Sequence, residues 1–452
     1  MQDPSSTNGS ASAQERDGWH LAASHATTHS PSDTTWGTSW SGDRGKLFGI
    51  ALWTGVLTIL TLGFYRFWAR TRIRQWYWSA IRPGGVPLEY TGSPYEKLLG
   101  FLVAVVILAF YIGIVNLLLM FASFSLLAQP QLAYALTLLG LVPIWFYATY
   151  RAERYLMART RWMGIRFGLE PGAWGYALRA CLHWVLTIVT LGLWHPCMRF
   201  ALARYRHNRM WFGTKRLSQS GGLFLLYPAF IHILLAVALM ILASVLVREE
   251  IMALANEFDI TEFENVALSD TLPTAARLFV VAIPWFLFGL IYYSVVGRRL
   301  LVAQLSVGET QLDPQPRVGR IVLITVLGNL LRYVATVSVF FVGIVILLIA
   351  VATLAASGNL FDEPEVMFEN LELAAQLPQW FTIALGALFY FLVFLIWNIF
   401  THVFLIMPTW KHYASTLRIK GAGHITQIRQ RARDDSEEAG GFAEALDVGA
   451  AI

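Results

Sequence analysis

Eight apolar blocks constrain this chain more than anything else in it: 47–64, 98–127, 132–148, 173–193, 223–247, 276–296, 321–354 and 381–407. Most have the length that crosses a hydrocarbon core of about 30 Å as a helix. Only 14% of the residues are charged against 56% hydrophobic, with a mean hydropathy of +0.53. Soluble domains run at about one quarter charged, so a water-soluble fold would expose far too much apolar surface. The fold class is an all-α polytopic membrane protein. Residues 1–43 are Ser/Thr/Gly-rich with no apolar block; they read as a disordered tail, and without an h-region there is no cleavable signal peptide. The transmembrane domain takes 44–424, and 425–452 reads as a second polar tail. The two cysteines, Cys181 and Cys197, allow neither a disulfide framework nor a CxxC metal site.

Short cytoplasmic loops collect Lys and Arg, which tests the count of spans. Segments 65–97, 149–172, 194–222 and 297–320 are basic, whereas 248–275 and 355–380 are acidic and read as outer loops. Alternation fails once, because the block 173–193 has a strongly basic segment on each side. The simplest repair is that this block enters from the cytoplasmic face and returns, or lies in the interface.

Charge leaves the first block, 47–64, open between a span and a re-entrant segment, and its wording favours the second. Residues 57–63, LTILTLG, are echoed by 186–192, LTIVTLG, and Arg70 and Arg199 each fall seven residues past the glycine. Segments so alike should sit alike, with Gly63 and Gly192 making a turn that needs a left-handed backbone. A fainter echo, LITVLGNLLRY, occupies 323–333. The chain thus reads as three pseudo-repeats near 40–167, 168–312 and 317–424. That gives six full spans, two or three non-crossing apolar segments and both termini inside. A short strand is expected to close each basic helix, from the alternation that follows it.

The stretch SWSGDRGKLFGIALWTGVLTILTLGFYRFWARTRIRQWYWSAI (39–81), followed by GVPLEYTGSPYEKLLGFLVA (85–104), resembles the YjgN-like family of bacterial inner-membrane proteins. The motif runs from an aromatic-x-Gly opening through LTxxTLG to Tyr-x-x-Trp-Ala-x-x-Arg. The likeness covers about 39–424 and weakens in the second copy, where Trp194-His-Pro-Cys interrupts the pattern. The family is a domain of unknown function. The resemblance implies a multi-pass inner-membrane location and no active site.

Arg66, Arg70 and Arg74 lie four apart and share one helical face, with Phe64, Phe67 and Trp68 on another. Such a helix lies among headgroups, aromatic side in lipid and arginines toward phosphates; Arg199 and Arg204 repeat the pattern. The bland alternative is that these arginines only set orientation. Polar groups inside apolar blocks are the other pointers, because burial in lipid is costly. They are Arg179, His183, Asn116, His232, Arg332, Asn398 and His402. Each could face a substrate or simply bond a neighbouring helix, and Arg332 could snorkel from a segment that never crosses. Histidine spacing supports no metal site, and GxSxG, P-loop and HExxH motifs are absent. No cofactor and no enzymatic activity are expected. The expected partners are the bilayer and anionic headgroups, not nucleic acid. The leading expectation is a transporter or channel-like protein for a small polar or anionic solute; the alternative is a non-transporting protein that binds anionic lipid or scaffolds the envelope.

Overall fold

A computed structural model of the protein describes residues 34–127, 130–248, 252, 271–357 and 379–431. The acidic stretches between 249 and 270 and between 358 and 378 were read as outer loops; apart from residue 252 they lie outside the described residues, as do 1–33 and 432–452.

In chain order the described elements are β1 (Thr35–Trp40), α1 (Arg44–Leu60), α2 (Arg66–Ala80), β2 (Ile81–Pro83), β3 (Leu88–Tyr90), α3 (Pro94–Phe110), α4 (Asn116–Leu127) and α5 (Pro130–Ala158). Then come β4 (Thr160–Trp162), β5 (Ile165–Leu169), α6 (Ala173–Val189), α7 (His195–His207), β6 (Met210–Phe212), β7 (Lys215–Gln219), α8 (Tyr227–Leu246) and α9 (Thr271–Ala303). The last are β8 (Leu305–Val307), β9 (Thr310–Pro314), α10 (Val318–Ser357), α11 (Gln379–Phe400), α12 (Met407–Ser415) and β10 (Leu417–Lys420). A wide π-helical turn, Tyr111–Val115, joins α3 to α4, and another, Thr401–Ile406, joins α11 to α12.

The ten strands form one antiparallel sheet in the order β2-β1-β10-β9-β8-β7-β6-β5-β4-β3. That is sequence order bent into a nearly closed ring, with β1 against β10 and only β2 and β3 unpaired with each other. Every helical hairpin leaves the ring from one strand and returns to the neighbouring one. Two-residue turns with glycine at positive φ (Gly164, Gly213, Gly308) close three of the strand hairpins, as the right-handed twist of strands favours. The ring is filled rather than open: Trp162, Leu169, Met210, Phe212, Leu217, Leu305 and Ile419 form one buried cluster with Ile425 and Ile428.

Two boundaries shift from the sequence reading. Thr35–Trp40, placed in the disordered tail, is a strand, because TWGTSW alternates and its Trp36, Thr38 and Trp40 turn inward. Residues 425–428, placed at the start of the polar tail, pack against the ring, where burial of Ile425 and Ile428 holds them.

Among the described residues, five helices are long and apolar enough to cross a membrane, within Pro94–Ala122, Tyr227–Leu246, Thr274–Ala303, Val318–Val345 and Phe389–Ser415. The expected sixth span, 132–148, lies in α5, which is not among the five. The segments around Gly63 and Gly192 are not among the five either. Each is one arm of a short helical hairpin, α1–α2 or α6–α7, with both ends at the ring. The third echo behaves differently: α10 runs unbroken through Gly328, so the turn expected there is absent. Its LITVLGN lacks the second threonine that the turns depend on.

Candidate functional site

The repeated phrase folds alike bond for bond. Gly63 N–H donates to the Thr58 carbonyl at 2.7 Å and Leu62 N–H to that of Ile59 at 3.0 Å; Gly192 to Thr187 and Leu191 to Ile188 have the same distances. These are the paired bonds of a Schellman C-cap. Thr61 and Thr190 each donate a hydroxyl to the carbonyl four residues back and accept from the N–H of Tyr65 or Trp194, so the threonine splices one helix to the next. Contrary to expectation, the left-handed position is held by Leu62 and Leu191 at φ +50°, and the glycines follow at +93° and +91°.

The first chamber, about 570 Å³, lies between α1, α2 and α11. Thr54, Thr58, Arg66, Arg70, Asn398 and His402 line it. Two groups singled out on separate grounds, the post-turn arginines and the polar residues of the last apolar block, therefore meet. His402 sits in the π-helical turn, with Nδ1 3.3 Å from the Tyr77 hydroxyl. Burial pushes the Tyr77 pKa up, so this hydroxyl keeps its proton. The widened turn has a local cause. Pro408 has no N–H for the Phe404 carbonyl, and its ring crowds that carbonyl.

The second chamber, about 610 Å³, lies nearer the ring between α7, α9 and α12. Arg199, Arg206, Arg298 and Arg299 line it with His207, Thr409, Trp410 and Tyr413. Arg206 is paired with Glu153 at 2.6 Å. Arg199 donates to the Tyr293 carbonyl at 3.2 Å and lies 4.7 Å over that ring. Its guanidinium rests on Gly297, where a Cβ would come within 2.8 Å of Nη1. Arg70 and Arg199, equivalent in the two copies, thus each line a chamber. Ile406, at the end of the π-helical turn, lines both.

The other predicted residues go elsewhere. Arg74 is 2% exposed and lies over the rings of Trp78 and Tyr90, so it does not share the environment of Arg66 and Arg70. Phe67, expected in lipid, is buried against Phe101; the helix turns that face toward α3 rather than the bilayer. Arg204 is exposed in the last turn of α7, where a cation suits the helix dipole. Arg179 donates to the Gly175 carbonyl and covers Tyr205. His183 accepts from the Trp194 indole at 2.9 Å and His232 from the Trp285 indole at 3.3 Å. Asn116 accepts from Thr137. Arg332 does not snorkel from a non-crossing segment. It bonds Asn329 and Thr401 and lies 3.8 Å over Trp397, stapling α10 to α11.

Sequence reasoning missed three groups. Arg298 and Arg299 read as loop charge, and Tyr77 as one aromatic among many. Lys97, also counted as loop charge, is 1% exposed and donates to the Thr71 hydroxyl at 3.1 Å. Its place directly before an apolar block was the available signal.

Residues 36–337 match a family described as bacterial proteins of unknown function, DUF898. Over 162 residues the chain is 29% identical to the inner membrane protein YjgN of Salmonella typhimurium, covering 34% of this chain and 38% of that protein. The chain thus matches well under half the length of this curated relative. No solved structure matches.

Proposed function

This chain belongs to DUF898, a family of bacterial proteins of unknown function, and from that premise we propose that it moves a small anionic solute across the inner membrane. It is a multi-pass inner-membrane protein. The observation that carries the proposal is the pair of cationic chambers sharing Ile406 at the π-helical turn, each with an arginine seven residues past a turn glycine. Intramembrane polar groups lining a common cavity are what a transport path needs; helix-packed ones are not. Six crossings are part of the reading. Pairing of Thr35 with Lys420 puts both ends of the described fold in one ring, which supports an even number of crossings. The 29-residue α5 is long enough to supply the sixth.

The test is counterflow of a panel of labelled anions in proteoliposomes of the full chain. An anion whose flux falls about tenfold or more in Arg70→Gln and Arg199→Gln, the effect of losing one charge-assisted bond, is the expected result. Flux equal to that of empty liposomes for every anion would remove transport. A second reading, anionic-lipid binding without transport, is favoured by the exposed apolar tips beside those arginines, Leu60, Leu62, Phe64 and Leu191 among them. It predicts that Arg70→Lys with Arg199→Lys loses anionic lipid during purification, because bidentate geometry goes while charge stays.

A further inference from the structure

We propose that the chamber bounded by Arg199, Arg298 and Arg299 is a binding site for a phosphate-type oxyanion carried on an organic group. The proposal rests on the anionic reading above for the sign of the ligand, but not on transport.

Three features support it. First, among the described residues no carboxylate pairs with Arg199, Arg298 or Arg299, whereas the fourth arginine of the chamber is neutralised by Glu153. Three guanidinium groups around one cavity, Arg199 half-buried and Arg298 and Arg299 exposed, set up a local positive field that draws a counter-anion. Second, two of the three arginines are held by contacts. Arg199 is anchored on the Tyr293 carbonyl and ring and seated on Gly297, and Arg298 lies 5.6 Å over Tyr413. They arrive from α7 and α9, so their forks approach from different directions. A tetrahedral oxyanion can accept from several forks at once, and arginine is the side chain suited to that geometry. Third, the chamber is far larger than phosphate alone, and much of its remaining wall is apolar, with Leu301, Val302, Leu405 and Trp410 beside the polar His207 and Thr409. A volume of about 610 Å³ lies within the usual range for organic ligands. A phospholipid headgroup and a free phosphorylated solute share this chemistry.

The experiment uses the full chain in phosphatidylcholine nanodiscs, with radiolabelled inorganic phosphate as one probe and added phosphatidylglycerol as the other. Lipid retention is read by native mass spectrometry. For a free solute, phosphate binds saturably, and the Arg298→Gln, Arg299→Gln double variant weakens it by about tenfold or more. For a headgroup, free phosphate does not bind but phosphatidylglycerol retention falls by a similar factor. Arg204→Gln, on α7 but outside the chamber, leaves either result unchanged. Gly297→Ala, which dislodges only Arg199, gives a smaller loss and serves if the double variant fails to fold. Neither probe responding to these variants, or Arg204→Gln responding equally, overturns the site. Binding of phosphate without flux of any anion keeps the site and removes transport. Flux that survives the double variant, with no phosphate bound and phosphatidylglycerol retention unchanged, does the reverse.

Discussion

At Leu62 and Leu191 the chain holds a bulky residue at φ +50°, a region L-residues occupy at a cost. Leu191 is also 94% exposed and Leu62 84%, so water would penalise each of them twice. A lipid neighbour removes the second penalty. The glycines that follow have open space around the Cβ position, so substitution there tests backbone conformation alone. Gly63→Val and Gly192→Val should each cost on the order of 1–3 kcal/mol, read as a lower melting temperature in detergent, while Asn, which tolerates positive φ, should cost less. A second prediction at this scale concerns His207. The Gln219 amide nitrogen donates to the carbonyls of Leu301 and Ser220, which leaves its oxygen facing His207 Nδ1 at 2.6 Å; Nδ1 therefore carries the proton. Burial holds the His207 pKa below its ordinary value, with the Gln219 bond only partly offsetting it. The unfolded chain then binds the proton more readily. The neutral ring's contribution is intact above the unfolded value of about 6.5 and is lost as pH falls from there toward the folded value. Thermal melts from pH 7.5 down to 5 should fall, and His207→Gln should flatten that slope.

The helical hairpins come in two heights. Helices α1 and α6 have 17 residues, about 25 Å at 1.5 Å per residue, whereas α9 with 33 and α10 with 40 reach about 50 and 60 Å. All rise from one ring, so the short hairpins stop about halfway up the long ones. Their exposed tips, with Leu60, Leu62 and Phe64 on one and Val189, Leu191 and Leu193 on the other, should sit at the depth of the inner leaflet. Nitroxides at 62 and 191 should be reached readily by oxygen and poorly by a water-soluble nickel chelate; equal access to the chelate would place the tips in water. Close approach between long helices uses small residues, as in other membrane bundles. A Cβ on Gly328 would meet the Phe404 carbonyl oxygen in the π-helical turn, and one on Gly289 the backbone of α8.

At the scale of the molecule, the ring decides sidedness. In a background without Cys181 and Cys197, cysteines at Arg159 and Arg206 should stay silent to an impermeant thiol reagent outside spheroplasts. One at Trp380, 70% exposed at the far end of α11, should react. Labelling of only one of the first pair would restore 173–193 as a crossing segment. The ring also makes the chain ends cooperate. Strand β1 lies between β10 and β2, and the segment after β10 reaches across the ring, with Thr214 N–H donating to the Arg429 carbonyl at 2.9 Å. Deleting residues from 422 onward removes the buried Ile425 and Ile428, each worth about 1.5–3 kcal/mol. The truncated chain should melt earlier by fluorescence-detected size exclusion while keeping its helical content.

What the sequence determined by itself is what acts over a few residues or over the composition of a segment. Apolar length marked the candidate membrane helices, and LTxxTLG set the turns, because their bonds join residues no more than five apart. The strand expected after each basic helix is found at Ile81–Pro83 and Met210–Phe212. The tertiary structure alone decided the rest. Strands of three to six residues carry too little periodicity to be read as a ring, and the pairing of Thr35 with Lys420 joins opposite ends of the chain. Arg298 and Arg299 belong with Arg199 only because Phe200 of α7 packs into one core with Phe230 of α8 and Tyr293 of α9. A charge is visible in sequence, but the company it keeps depends on which apolar faces find each other, and that is settled by packing across the whole fold.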